Sequence, residues 1–369
     1  MKVSVIHPQE LGASEIAAWR AMQRSAPDLL NPFLSPGFTF AVAEVRPETR
    51  VAILEDGQEI VGFLPFERRR PRIAVALGAG VSDLQGAVHV PGLEWDPIDL
   101  LRGCKLDVWE FDHLLSAQIP SVQRAARRRA PIDCAFVVCR NSPIIDVSQG
   151  YEKYARQRRE QTRRTFKLTA YKERKLGRDF GPVHLDFDAC DPEGLRLLLK
   201  WKSAQYRRTG RRDRFAIRWI ERLVWDLFER DTAGCQGTLT VLRAGDRIAA
   251  VHFGLRSERS LSCWFPAYDP GLAKYSPGLV LHLRMARAAA DAGLQQLDLG
   301  KGDERYKQSL KTGDVTVGEG AVYRPSVAAV LHRIRRMPVR HASDFVLSHD
   351  RLRQATRRTL ARVGRMRGP

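Results

Sequence analysis

The stretch KYSPGLVLHLRMARAAADAGLQQLDLGKGDERYKQSLK, Lys274 to Lys311, decides how the chain is read. Pro277 suits a first helical position, where a missing N–H is no loss. Ser276 precedes it as a candidate N-cap, and Gly293 stops the helix. Leu279, Leu283, Ala286 and Ala290 form an apolar stripe opposite the polar stripe Arg284, Arg287 and Asp291, so one face is expected to pack on a sheet. LQQLDLG then reads as a short strand, DERYKQSLK as a short helix and GEGAVYRP as a last strand. Upstream, SLSCWFPAYDP alternates as a strand, and its proline cannot donate to a ladder, so a break in pairing is expected near Pro266. The order in this half is α, β, β, β, α, β, α, β.

The chain also repeats itself. VAILEDGQEIVGFLPF (Val51 to Phe66) and LTVLRAGDRIAAVHFG (Leu239 to Gly254) are both strand, polar turn, strand, with Asp56-Gly57 and Ala244-Gly245-Asp246 supplying tight hairpin turns. Helix-like sequence precedes each, SEIAAWRAMQRSA in one case and PEGLRLLLKWKSAQYRRTG in the other. The expectation is a duplicated α/β unit with its boundary between residues 139 and 150.

At 369 residues, with 44% hydrophobic and 28% charged, the chain reads as a globular protein of about two domains. No apolar run reaches the roughly 18 residues of a membrane span, and no uninterrupted signal-type run opens the sequence, so a cytoplasmic location is expected. Six cysteines without a CxxC or nearby histidine pair signal neither a zinc site nor a disulfide framework. The net charge of +19 is concentrated: Tyr151 to Arg178 hold 11 Lys/Arg against 3 Glu, and His332 to Pro369 hold 11 Arg against 2 Asp. Such runs suit a polyanion such as RNA, an acidic lipid surface or a phosphorylated cofactor, and equally a solvated helix face.

The segments AAVHFGL, YSPGLVLHLRMARAAADAGLQQLDLGKGDERYK and RQRREQTRRTFKL together resemble the cellulose-biosynthesis-type (CelD/BcsL) acetyltransferase family of the GNAT superfamily. That family is similar to the Fem-like aminoacyltransferases, which carry two GNAT-like domains. The resemblance implies two tandem GNAT-like domains, each a mixed sheet flanked by helices, with basic helical appendages. Residues 1–146 would be a non-catalytic N-terminal domain and 147–328 the acyltransferase domain, entered through the basic segment 151–178, with a basic tail over 329–369. It implies acetyl-CoA or another acyl-CoA as co-substrate, no metal, and a saccharide or cell-envelope precursor as acceptor. In a GNAT domain the cofactor's pyrophosphate sits where the helix starting near Ser276 begins, because unpaired amides and the positive dipole end favour an anion there. Lys274, Tyr275, Ser276 and Gly278 are the corresponding cofactor-binding residues. The usual glycine-rich signature is reduced here to one glycine, and Pro277 removes one donor.

Direct acyl transfer needs a base for the nucleophile, a polarised carbonyl and an acid for the leaving group. Asp298, Tyr306, Lys307 and the strand histidine His252 are the catalytic candidates. Lys301, Asp303 and Glu304 add charge beside them. Lys200, Trp201, Gln205 and Tyr206, at helical spacing, are candidates for acceptor binding, as are Asp83 and Gln85 in the glycine-rich loop LGAGVSDLQGAV. Two other readings remain open on sequence alone: a Fem-like transfer from aminoacyl-tRNA, and a non-catalytic scaffold that binds polyanions. A tRNA and an anionic membrane surface accordingly stand beside the acceptor as candidate partners.

Overall fold

The computed structural model describes residues 1–127, 134–230 and 234–335. The first half runs β1 (Lys2–Ile6), α1 (Ala13–Ser25), α2 (Pro36–Val45), β2 (Thr49–Asp56), β3 (Glu59–Arg70), β4 (Ile73–Ala76), β5 (Val88–His89), α3 (Pro97–Gly103), β6 (Val108–Leu115), α4 (Ile119–Ala126) and β7 (Ala135–Asp146). The second runs α5 (Tyr151–Gln161), α6 (Arg163–Phe180), β8 (Val183–Phe187), α7 (Pro192–Arg208), α8 (Arg218–Glu229), β9 (Gln236–Ala244), β10 (Arg247–Arg256), β11 (Ser260–Tyr268), α9 (Pro277–Asp291), β12 (Gln296–Asp298), α10 (Arg305–Leu310) and β13 (Gly313–Tyr323). The basic run from His332 extends past Arg335, so most of the expected 329–369 tail lies outside the described residues.

The fold is mixed α/β, and its strands form one continuous sheet in the order β1-β2-β3-β4-β6-β13-β7-β12-β11-β10-β9-β8, with β5 pairing β3 to one side. Each half contributes the same series. An antiparallel meander, β1-β2-β3-β4 or β8-β9-β10-β11, is followed by a parallel pair, β4 with β6 or β11 with β12. The two repeat hairpins are β2-β3 and β9-β10, turning at Gly57 (φ +62°) and Gly245 (φ +55°). The last strands are exchanged between the halves: β7 pairs with β12 of the second half and β13 with β6 of the first, while β7 and β13 pair with each other over ten residues.

Helices cover both faces. On one, α1 and α2 of the first half and α7 and α8 of the second bury a shared core that includes Trp19, Phe38, Leu198 and Leu223. The opposite face carries α3 and α4 over the first half, and α5, α6 and α9 over the second. Among the described residues no helix is long and apolar enough to cross a membrane. All six cysteines are free thiols.

Several local expectations are corrected. β8 and α8 were not foreseen in the second half. Ser276 does not cap α9: it adopts a left-handed conformation (φ +51°), and its hydroxyl accepts from Lys172 Nζ at 2.7 Å. The deeply buried face of α9 is Val280, Leu281, His282, Met285, Ala286 and Ala289, while Leu279, Leu283 and Ala290 sit at its half-buried margin. The break expected near Pro266 is present: the register of β11 shifts opposite Phe253–Leu255, and Pro266 itself pairs in register with His252. Pro266 is tolerated because β11 has lost its neighbour on the other side by that point.

Gly320 marks how closely the exchanged strands approach. A Cβ there would lie 2.1 Å from Phe136 O of β7 and 3.0 Å from the Phe111 ring of β6. We expect Gly320→Val to destabilise the protein by about 3 kcal/mol, read as a lowered midpoint in denaturant unfolding. An unchanged midpoint would mean the exchanged pair is not part of the stable core.

Candidate active site

β11 and β12 pair in parallel over three positions, Ser260↔Gln296 to Ser262↔Asp298, and then part. Leu299 N–H donates to Pro143 O of β7 instead (2.9 Å). Gly300, at φ +74°, turns the chain away, a conformation that favours glycine. The turn is held by Asp298, whose buried carboxylate accepts from Gly300 N–H (2.9 Å) and from Ser142 Oγ of β7 (2.7 Å). A cleft of about 740 Å³ opens where the strands separate, with Cys263, Trp264, Phe265 and Pro266 on one wall and Leu299, Gly300 and Lys301 on the other.

The first half has the same parting and closes it. β4 and β6 pair from Ile73↔Val108 to Val75↔Glu110. Gln85 then enters beside β6: its N–H donates to His113 O, its C=O accepts from Leu115 N–H, and its side-chain Oε1 accepts from the amides of Asp112 and His113. With its edge groups already satisfied, that gap has nothing to offer a ligand. The same loop crosses to the second half, where Val81 O accepts from Trp264 Nε1 (2.6 Å), and it brings Asp83 to the cleft.

Eight lysines and arginines line the cleft against three carboxylates. Lys202 comes from α7, Arg46 and Arg69 from the first half, and Arg211, Arg212 and Arg214 from the segment after α7. Arg46 and Arg69 are both held by the buried Glu67, at 3.1 and 3.0 Å. Among the described residues no carboxylate forms an ion pair with Arg211, Arg212 or Arg214. Lys202 Nζ donates to Pro266 O (3.0 Å), and burial, helped by repulsion from Arg211 and Arg214, pushes its ammonium down to about 8. Burial raises the Asp83 carboxyl to about 6, with nearby Asp298 adding to the rise, while His113 and Lys307 oppose it. Burial also raises the Tyr306 phenol and, against its hydrogen bonds, Asp298. The cleft therefore holds a carboxyl and an ammonium that titrate close to neutrality, the property expected of acid–base groups.

The structure gathers Asp83, Tyr206, Lys301, Glu304, Tyr306 and Lys307 at this cleft. Lys307 is buried and fixes the turn, donating to Gly300 O (2.8 Å) and Lys301 O (3.2 Å). Asp298 lies behind that turn, buried. His252 is fully buried beneath α9, with neither ring nitrogen bonded and its ring 6.4 Å from His282, which in turn lies 5.2 Å from the Tyr306 ring. Lys200 and Asp303 are exposed outside the lining, Trp201 packs against the core of α7, and Gln205 and Gln85 do not line the cleft either. At the start of α9, Tyr275 Oη donates to Asp179 of α6, Lys274 lies over the Tyr275 ring at 4.9 Å, and Gly278 O accepts from His282 Nδ1 (2.6 Å). The amides of Leu279 and Val280 turn back onto Ser276 O, which leaves the Gly278 N–H and the nearby Lys172 as what this end offers an anion.

Sequence reasoning missed Lys202, the three arginines, Asp112, His113 and Trp264. Lys202 stands one helical turn before Tyr206 on the same face, so the spacing i, i+4 was the available signal. The cluster RRDR, Arg211 to Arg214, follows directly on the helix and was a second.

Comparison with known proteins places this geometry. Residues 160–308 match the sequence profile of the acetyltransferase (GNAT) domain. No curated protein matches the sequence. Among solved structures, the chain resembles FemX over 88% of its length and 97% of that chain, at 11% identity and a TM-score of 0.54. It resembles the C-terminal, DUF2156 domain of an Agrobacterium fabrum protein described as a lysylphosphatidylglycerol synthetase, over 87% and 94% at 14% identity and a TM-score of 0.52. A Bacteroides thetaiotaomicron protein of unknown function aligns over 85% and 98%, at 11% identity and a TM-score of 0.55. At these identities the likeness is one of fold. Residues 160–308 are thus similar in sequence to the GNAT acetyltransferase domain, and the fold likeness agrees with that match.

Removing the depressed ammonium tests the electrostatics. Lys202 has its folded-state pKa lowered, so its charged form destabilises the fold below pH 8, and that burden disappears between pH 8 and the ordinary lysine value as the folded form sheds its proton. Lys202→Met is therefore expected to raise the melting temperature at neutral pH, with the gain shrinking as pH rises above 8. A gain that grows with pH, or a loss at neutral pH, would contradict the assignment.

Proposed function

We propose that the protein transfers an acyl group from acyl-CoA, acetyl-CoA being the simplest donor, to a hydroxyl or amine on a negatively charged saccharide or envelope precursor. The observation that carries this reading is the open parting of β11 and β12 into a cationic cleft, set against the closed parting of β4 and β6. GNAT folds generally use acyl-CoA, and a thioester arm suits a narrow gap between parting strands. The saccharide acceptor rests on the resemblance to the cellulose-biosynthesis-type family, and its negative charge on the surplus of cations.

In this reading Asp83 is the general base. Its carboxyl, raised to about 6, is ionised at neutral pH and still basic enough to accept a proton. The acceptor oxygen or nitrogen bonds to the acyl carbon, and the electron pair of the carbonyl moves onto its oxygen. Lys202 donates to that oxyanion, because its bond to Pro266 O occupies one of its three N–H groups. Collapse breaks the carbon–sulfur bond, and the leaving thiolate takes the phenolic proton of Tyr306, which burial keeps protonated. Asp298 and Lys307 hold the Gly300–Lys301 turn, and Arg211, Arg212 and Arg214 meet the acceptor's anionic groups. Tyr306 also connects this chemistry to the start of α9 through His282. His282, lowered by burial to about 4, is neutral there, and His252 is kept neutral in the same way.

The test is acyl transfer to phosphorylated sugars and their nucleotide conjugates, followed against pH. kcat/KM should rise through about 6 as Asp83 ionises and fall through about 8 as Lys202 loses its proton. Asp83→Asn should lower it by roughly a hundredfold or more and remove the acid limb. A flat profile, or an Asp83→Asn enzyme of full activity, would remove the proposed base. Transfer from aminoacyl-tRNA with none from acyl-CoA would replace the donor.

A further inference from the structure

The cleft receives Lys202 and Tyr206 from α7, on one face of the sheet, whereas α5 and α6 lie on the other and carry more cations than carboxylates. Three of their carboxylates are engaged by the start and body of α9: Glu152 with Arg287 (2.9 Å), Glu173 with Arg284 (2.6 Å) and Asp179 with the Tyr275 hydroxyl. Arg156, Arg159, Arg163 and Lys167 line a groove of about 1250 Å³ between α5–α6 and α9. Glu160 and Asp291 also line the groove beside these helices. Arg164, Arg174 and Arg178 are exposed on the outer side of α6. Among the described residues none of these seven cations forms an ion pair with a carboxylate. Like charges held together repel, so a face of this kind gains when an anion covers it.

Two apolar side chains stand in the middle of that cationic field. Leu168 and Tyr171, three residues apart on α6 and so on one helical face, are 46% and 49% exposed, and no hydrophobic cluster takes them up. Arg164 precedes them by one turn and Arg174 and Arg178 follow by one and two, all on that side of the helix. A leucine and a tyrosine bracketed by arginines are what a helix needs to lie in the headgroup plane of an anionic bilayer, with guanidinium groups at phosphates and the apolar pair at the acyl boundary. A nucleic-acid backbone would be met by the arginines but has no use for an exposed leucine between them.

We propose that the α5–α6 face docks the protein peripherally on the surface of an anionic phospholipid bilayer. Leu168 and Tyr171 enter the headgroup layer, Arg164, Arg174 and Arg178 contact lipid phosphates, and the groove beside Arg163 and Lys167 admits a further headgroup. This rests on the helix face and not on the cleft, so it stands or falls separately from the transfer reaction.

The experiment is co-sedimentation of the full chain with vesicles of phosphatidylcholine alone and of phosphatidylcholine mixed with phosphatidylglycerol, at low and at moderate salt. Two double variants accompany it, Arg164→Glu with Arg174→Glu, and Leu168→Ser with Tyr171→Ser. All four side chains are exposed, so both variants should keep the unfolding transition of the parent. Everything beyond Arg335 is common to all three proteins, so any pull it exerts cancels. The expected result is binding to the phosphatidylglycerol vesicles that weakens with salt. The charge-reversed variant should lose about tenfold or more in partition, and the serine variant a smaller but measurable amount. Absence of binding, equal binding to both vesicle types, or partition unchanged in both variants overturns the proposal. So does binding of bulk tRNA that displaces the vesicles and is untouched by the serine pair, which would assign the face to RNA.

Discussion

The antiparallel pairing of β7 with β13 is the constraint on which the rest of this structure depends. Each strand crosses from the half that encodes it to the sheet of the other, so that β12 finds its partner in β7 and β6 in β13. The two halves become one sheet, and neither can complete its layer alone. The exchange also reaches the site chemically. Ser142 arrives on β7 and donates to Asp298, Asp298 accepts from the Gly300 amide, and the resulting turn steers the chain away from β11. The cleft is thus opened by a residue of the first half acting on a strand of the second.

Duplication has left two partings of parallel strands and only one is open. In the first half the loop after β4 supplies its own strand-like residue, Gln85, whose main chain and side chain satisfy the edge of β6. An edge so satisfied is rigid and closed to ligands. In the second half β11 lines the cleft, and Lys202 donates to its Pro266 O. The first half still serves the site: Val81 braces Trp264, Asp83 reaches the turn at Gly300, and Glu67 aims Arg46 and Arg69 inward. Cations that would repel one another are gathered there with few counter-charges, and their repulsion adds to the desolvation that lowers the Lys202 ammonium.

Much of the fold was legible because it is written in local signals. The hairpin glycines at 57 and 245, the proline that opens α9 and the glycine that follows it fix the repeated meander and the long helix from short-range preferences. What was not legible depends on contacts distant in sequence. The exchange of β7 and β13 leaves no local trace, since either strand alternates equally well beside either neighbour. At the site, Tyr306, Lys307 and Lys301 were found because they follow a strand end, and Asp83 because its loop mixes glycine with polar residues. Gln85 in that loop proved to be bonded to main chain, and Ser276 was misjudged as a cap because Lys172, 104 residues away, binds its hydroxyl. Lys202 escaped because a lysine on a helix usually marks a solvated face, and only the tertiary fold reveals that it is half-buried beside arginines.

The central claim is that the parting of β11 and β12 receives the acyl donor while that of β4 and β6 does not. Amide hydrogen exchange with and without acetyl-CoA measures this directly. The account predicts slowed exchange at Cys263 to Phe265 and at Leu299 to Lys301 when the thioester is present, with the amides of Gln85 to Ala87 and Asp112 to Leu115 unchanged. Protection confined to the first half, or none in either parting at saturating thioester, would contradict it.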